Sequence, residues 1–173
     1  MVEIWDIYDE NRIKTGETMA RGKPAPEGAY HLVVHVCLFN SRGEMLIQQR
    51  QPFKSGWPDM WDVTVGGSAV AGENSIAAAE REVMEEIGYP LRLKQKNLIL
   101  TVPFDWGFDD FYLVEAEPDL KLLKLQPEEV QRVKWASIQE ILEKIREGKF
   151  IPYLESLIQL LFDLHRGKRG CHQ

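Results

Sequence analysis

Gly67-Ser68-Ala69-Val70-Ala71-Gly72-Glu73, followed by Arg81-Glu82-Val83-Met84-Glu85-Glu86-Ile87-Gly88, decides how this chain is read. The second run predicts the middle and end of a helix. Side chains three and four positions apart are helix neighbours, so Glu82 and Glu86 share a face and Glu85 stands beside them. Three like charges this close repel, and a salt-bridged surface helix would interleave Lys or Arg among them. A divalent cation resolves the conflict, and hard carboxylate oxygens select Mg²⁺ or Mn²⁺.

The helix is legible locally. Glu73, Asn74 and Ser75 offer capping oxygens at the positive end of its dipole. Ala77, Ala78 and Ala79 are strong helix formers. Ile76, Ala79, Val83 and Ile87 make an apolar stripe that the Glu row borders. Gly88 and Tyr89-Pro90 stop it. Arg81 reaches Glu85 at the i,i+4 spacing, or Glu73 in the loop before.

At this point the chain resembles the Nudix hydrolase (MutT-like) superfamily. The family box is a glycine, five residues, a glutamate, seven residues, then Arg-Glu-aliphatic-x-Glu-Glu-x-Gly-aliphatic. Gly67, Glu73, Arg81, Glu82, Val83, Glu85, Glu86 and Gly88 match, and Tyr89 replaces the final aliphatic residue. The resemblance implies an α/β fold, an α/β/α sandwich with a mixed β-sheet, carrying a box over residues 67–89. It implies Mg²⁺, or Mn²⁺, on Glu82 and Glu86, with Glu85 direct or through water and a backbone carbonyl near Gly66 or Gly67. Glu82, Glu85, Glu86 and Arg81 would be the catalytic set, with Arg81 and Glu73 orienting the ligands. The implied reaction is substitution at phosphorus in a diphosphate joined to another group.

Composition sets the background. The chain has 173 residues, 44% of them apolar and 28% charged, which suits one domain over 1–166 with a full core. Residues 1–28 read as an N-terminal hairpin and loop, and 167–173 as a loose tail. A net charge of −6 argues against a nucleic-acid polymer as partner, while a small phosphorylated substrate stays compatible with a local cationic pocket. Cys37 and Cys171 are isolated, which fits a reducing cytoplasm and no disulfide framework. No signal-like start and no span of roughly 20 apolar residues occurs, so no membrane role is expected. Monomer and homodimer are both open.

Ile4 to Tyr8 and Ile13 read as a hairpin, and Thr15 to Glu27 as a loop punctuated by Gly16, Gly22, Pro24 and Pro26. Strands are expected at Tyr30 to Phe39, Met45 to Gln49, Trp61 to Val65, Leu98 to Phe104, Phe111 to Ala116 and Val130 to Trp135. Helices are expected at Ile138 to Arg146 and Tyr153 to His165, with Pro152 at a helix start.

Several candidates lie outside the box. Arg50 and Lys54 could clamp a diphosphate, one as a planar fork and the other as a point charge. Trp57, in a loop, needs a packing partner or a ligand to stack on. Asp109 and Asp110, with Glu128 or Glu129 behind them, are candidates for an extra acid. His31 is a candidate substrate or metal contact. Over the first hundred residues the chain is similar to the isopentenyl-diphosphate isomerase branch, in which residues matching Arg50 and Lys54 hold the diphosphate and one matching His31 binds metal. That branch needs a Cys at Gly66 and a His at Ser68, and both are absent. Without that acid and base the chain reads as a hydrolase on an isomerase-like scaffold. An isomerase with unusual residues and a non-catalytic diphosphate-binding domain are the alternatives. The group attached to the diphosphate, the number of metals and the general base stay open.

Overall fold

The apolar, β-branched run forms β3 (His31–Phe39), and the sheet grows outward from it in this computed structural model, which describes residues 2–167. On one side β8 (Gly107–Glu115) runs parallel to β3 from His31↔Gly107 to Phe39↔Glu115, and β7 (Leu98–Phe104) lies antiparallel beyond it. On the other side β3 meets β6 (Val65–Ser68) at residues 33–36, but touches β4 (Met45–Arg50) only at Phe39↔Met45. β4 in turn carries β5 (Trp61–Asp62) and β9 (Val130–Ala136), completing a mixed seven-stranded sheet. The sheet therefore splits where β4 and β6 diverge along one edge of β3.

Alternation along β3 assigns its two faces. Leu32, Val34, Val36 and Leu38 pack with Ala78, Ala79, Val83 and Ile87 of α1 (Ser75–Ile87). Cys37 and Phe39 face the opposite way, toward Ile141 of α2 (Ile138–Arg146) and Ile158, Leu161 and Phe162 of α3 (Glu155–His165). This is the α/β/α layering that the resemblance implies. Asn74 caps α1 by accepting from Ala77 N at 2.9 Å, and Gly88 closes it in the left-handed conformation at φ 64°.

Four local expectations need correction. Residues 15–20, read as loop, belong to β2 (Lys14–Ala20), which pairs antiparallel with β1 (Ile4–Tyr8). Asp9 builds the turn by accepting from Asn11 N and Ile13 N, and the strand escapes pattern reading because most of it is exposed. The expected strand at 61–65 is two strands, because the chain passes from β4 to β3 across the split. Thr64 bridges the gap: Leu38 N donates to its hydroxyl at 2.9 Å, and that hydroxyl donates to Leu46 O. The strand expected from Phe111 starts at Gly107, so only Asp105 and Trp106 turn between β7 and β8. α3 starts at Glu155, two residues later than expected and three after Pro152. Apart from Gly167, the expected tail lies outside the described residues. Among these, no helix is long and apolar enough to cross a membrane.

The hairpin is tied to the sheet by a buried ion pair. Arg12 donates to Asp110, which is fully buried and also accepts from Ser75 and, at 2.6 Å, Thr101. Removing one partner of a buried pair strands the other charge. Arg12→Ala should lower the unfolding free energy by about 3 kcal/mol, the low end for such pairs, because its side chain is partly exposed. Arg42→Ala, which breaks an exposed pair with Glu44, should cost less than about 1 kcal/mol. Urea midpoints of the two variants test this, and equal losses would refute the assignment.

Candidate active site

α1 delivers its acids into the split in the sheet. Glu82, Glu85 and Glu86 line a cleft of about 390 Å³ together with Gly66, Gly67 and Ser68 of β6. Gly67 leaves room for Glu82: a Cβ there would stand 2.2 Å from the Glu82 carboxyl carbon and would push that carboxylate aside. Arg81 gathers the box. Its Nε and Nη2 donate to the two carboxylate oxygens of Glu73 at 2.8 and 3.0 Å, and Nη2 also donates to Ser68 O at 3.1 Å. Its Nη1 donates to Glu82 and Glu85, both at 2.9 Å. Both alternatives foreseen for Arg81, Glu85 and Glu73, are used at once.

The facing wall comes from distant parts of the chain. Arg50, at the end of β4, lies 3.6 Å from Asp62 of β5 and donates to Gly56 O at 3.1 Å. Tyr153, just before α3, donates its hydroxyl to Asp62 at 2.9 Å. His35 of β3 stacks on Phe111 with ring centroids 4.6 Å apart, and its Nε2–H donates to Asp109 at 3.0 Å. Glu3 and Arg21 of the hairpin close one end, and Glu129 the other.

Seven carboxylates and three guanidiniums line this cleft, so its formal charge is −4. Burial pushes the Glu82 carboxyl up from its ordinary 4.5 to about 7 despite Arg81 beside it. Glu86, almost wholly buried, is pushed well up by burial and then by Glu82, with only Gln48 donating to it at 2.8 Å. Gln48 Oε1 is buried without a donor. An oxygen-rich cluster whose ionised form is disfavoured, with an orphaned acceptor adjoining it, fits a hard divalent cation. Among the described residues no three His, Cys, Asp or Glu side chains form a ready-made metal cluster. The reason is local, since Arg81 engages Glu82 and Glu85 while Gln48 engages Glu86.

The other expected residues separate. Trp57 lines the cleft and is half exposed at φ 50°. Lys54 does not line it and pairs with Glu129 at 2.5 Å. Asp109 faces the cleft, whereas Asp110, one residue on, points to the α1 side and belongs to the Arg12 pair. His31 lies outside the cleft, stacked on Trp5 at 4.4 Å, with Nδ1–H donating to Trp106 O at 2.9 Å. Glu128 is not among the lining residues. His35, Asp62, Tyr153, Glu3 and Arg21 were not anticipated. Only His35 left a trace in sequence, two strand steps along from Val33 on the same face.

A NUDIX domain family model matches residues 29–154. The chain is 42% identical over 163 residues to an uncharacterized Nudix hydrolase of Listeria monocytogenes, covering 94% of this chain and 95% of that one. It is 30% identical to an isopentenyl-diphosphate Delta-isomerase of Streptomyces coelicolor, covering 90% and 81%. A crystal structure from Deinococcus radiodurans superposes with a TM-score of 0.70 at 25% identity, covering 92% and 99%.

The raised pKa values of Glu82 and Glu86 set a sign for stability without divalent cations. Between about pH 4.5 and pH 7 the folded chain keeps a proton on Glu82 that the unfolded chain has lost. Folding then binds protons, so stability falls as pH rises through that window and levels off above it. A shift of this size corresponds to about 3 kcal/mol, and Glu86 acts in the same direction. In EDTA the melting temperature should fall from pH 5 to pH 8, and Glu82→Gln should flatten the slope. An unchanged slope would exclude Glu82 as its source.

Proposed function

The chain belongs to the Nudix family and is a Nudix hydrolase, an enzyme class acting on pyrophosphate bonds, and from that premise we propose that it cleaves the diphosphate linkage of a small organic diphosphate using Mg²⁺ or Mn²⁺. The observation that carries this reading is the excess of carboxylates in the cleft, Glu82, Glu85 and Glu86 among them, beside one loosely paired guanidinium, Arg50. An anionic diphosphate enters a cleft of charge −4 only with compensating cations.

Glu82 and Glu86 would hold the cation, with Glu85 and the Gly67 carbonyl completing the set. When bound, the cation supplies Lewis acidity toward the diphosphate oxygens and an attacking water. Arg81 and Glu73 fix the rotamers of these acids. Arg50 spends its Nε–H on Gly56 O and is held to Asp62 at only 3.6 Å, which leaves its terminal nitrogens to take a phosphate. Arg21 pairs with Glu3 at 2.9 Å and offers a second fork only by leaving it. Lys54 joins only by leaving Glu129. Asp109, oriented by the His35 N–H, is the acid outside the helix best situated to accept a proton from the water. Trp57 flanks the mouth.

Incubation with a panel of nucleoside, sugar-nucleotide and isoprenoid diphosphates, with and without Mg²⁺, should give phosphate or pyrophosphate release only with the metal. Glu86→Gln should fall by about two or more orders of magnitude in kcat if metal stabilisation supplies a few kcal/mol. Its melting temperature at pH 8 should not drop, because a buried, repelled carboxylate is removed. Full activity in Glu86→Gln would sink the metal assignment.

Likeness to the isomerases supports a second reading, but Gly66 opposes it. A Cβ at residue 66 would come within 3.2 Å of His35 Nδ1, so the acid-bearing position is crowded as well as empty. Isopentenyl diphosphate in heavy water with Mg²⁺ should gain no deuterium at its allylic carbons. Catalytic exchange with no cleavage anywhere in the panel would make the isomerase reading the better one.

A further inference from the structure

The β1–β2 hairpin precedes the stretch that the family model matches, yet it holds the loop between β6 and α1. Ala71 N donates to Ile4 O at 2.7 Å, and Gly72 N donates to the Asp6 carboxylate at 2.8 Å. Lys14 joins the two sides: its Nζ donates to Asp6 Oδ2 at 2.6 Å and to Glu73 O at 2.8 Å. Three consecutive loop residues, 71, 72 and 73, are thus each bonded to the hairpin. The hairpin is itself fixed to the sheet. Tyr8 and Tyr30 exchange backbone bonds at 2.8 and 2.9 Å, and Arg12 is paired with Asp110.

These bonds matter because of what Glu73 does next. Ala71 and Gly72 are exposed, so packing does not locate this part of the loop. Glu73 accepts from Arg81 through both carboxylate oxygens, and Arg81 donates onward to Glu82 and Glu85. A two-pronged guanidinium–carboxylate contact tolerates little displacement of either partner. The position of the Glu73 backbone therefore sets where Arg81 holds the two acids. The Lys14 ammonium, aided by Gly72 N–H, keeps the Asp6 carboxyl below its ordinary 3.8 despite the opposing effect of burial, so the pair stays charged. Lys14 and Asp6 are both partly exposed, and such pairs add little to global stability. What this pair supplies is a fixed place for residues 72 and 73.

We infer that Asp6 and Lys14 are positioning residues for the cation site, acting from the hairpin through the Glu73 backbone and Arg81 on Glu82 and Glu85. The inference rests on the metal-dependent reading and extends it to a segment that touches neither the cation ligands nor the reacting atoms. Groups that orient metal ligands from outside change metal affinity by about 10–100-fold when removed. Asp6 and Lys14 stand one contact further out than Glu73 and Arg81, which places them at the low end of that range.

The test measures Mn²⁺ binding by electron paramagnetic resonance of the free ion, with no substrate present. Asp6→Ala and Lys14→Met should each raise the Mn²⁺ dissociation constant by roughly tenfold, and Lys14→Arg, which keeps the charge and the donors, should restore most of the affinity. In the metal-free protein, amide exchange at Gly72 should speed up by roughly tenfold in Asp6→Ala, because its acceptor is gone. Melting temperatures of these variants should stay near that of the wild type. Ile158→Val, in the second core, serves as the control: it lowers the melting temperature and should leave Mn²⁺ affinity unchanged. Wild-type Mn²⁺ affinity in both Asp6→Ala and Lys14→Met would overturn the positioning role and leave the metal site standing. An equal loss of affinity in Ile158→Val would overturn it too, since general loosening would then account for the effect. A wild type that binds no Mn²⁺ would overturn the metal reading, and the positioning role with it.

Discussion

The site depends on a single guanidinium. Arg81 makes five hydrogen bonds that reach Glu73 in the loop, Ser68 at the end of β6, and Glu82 and Glu85 on its own helix. Its plane and fixed charge suit it to hold several carboxylate oxygens at once, which a lysine could not do with the same geometry. Glu73 passes the restraint on by accepting from Val70 N at 3.0 Å. The loop 68–74 is therefore bound to the helix it precedes, and the distance from β6 to the acids is set before any ligand arrives. Glu86 gets no such help. It is the most buried of the three and has an amide as its only donor, so it carries the largest unmet electrostatic demand in the cleft.

β3 then divides labour by parity. Its even-numbered residues are spent on packing against α1, while on the odd-numbered face His31 stacks on Trp5, Val33 and His35 line the cleft, and Cys37 and Phe39 join the second core. Parallel pairing copies this parity to β8. Asp109, opposite Val33, shares the cleft face, and Asp110, opposite Val34, shares the α1 face. Two adjacent acids therefore do unrelated work, one beside His35 and the other anchoring the hairpin through Arg12. The split between β4 and β6 gives the cleft its opening, and Thr64 supplies the hydrogen bonds that the diverging strands lose there.

What could be read in sequence was whatever is encoded within a few residues. The α1 cap at Asn74, its stop at Gly88, the carboxylate row and the reach of Arg81 all follow from helical spacing. The layered α/β fold followed from the box and from strand and helix patterns. β2 was hidden because an exposed strand has no apolar alternation, and Gly16 within it imitates a loop. The far wall was hidden for a different reason. Asp62 meets Tyr153 across 91 positions, and His35 meets Asp109 across 74, so only the topology brings them together. Lys54 shows the converse. Its place in the chain resembles a clamp, but Glu129, 75 positions away, has claimed its charge.

His35 and Gly66 are coupled by space, and this explains more than the absence of a catalytic cysteine. The two residues face each other across the β3–β6 ladder. The His35 ring is stacked on Phe111 and hydrogen-bonded to Asp109, so it cannot swing aside without losing both contacts. A side chain at 66 would need it to yield by a few tenths of an ångström, since the contact would be only 3.2 Å. On this scaffold an acid at 66 and a fixed imidazole at 35 compete for one volume. Glycine at 66 gives that volume to His35, and with it an oriented Asp109 opposite the α1 carboxylates. The same backbone that could carry proton transfer to carbon is thereby committed to an acid-lined cleft suited to attack at phosphorus.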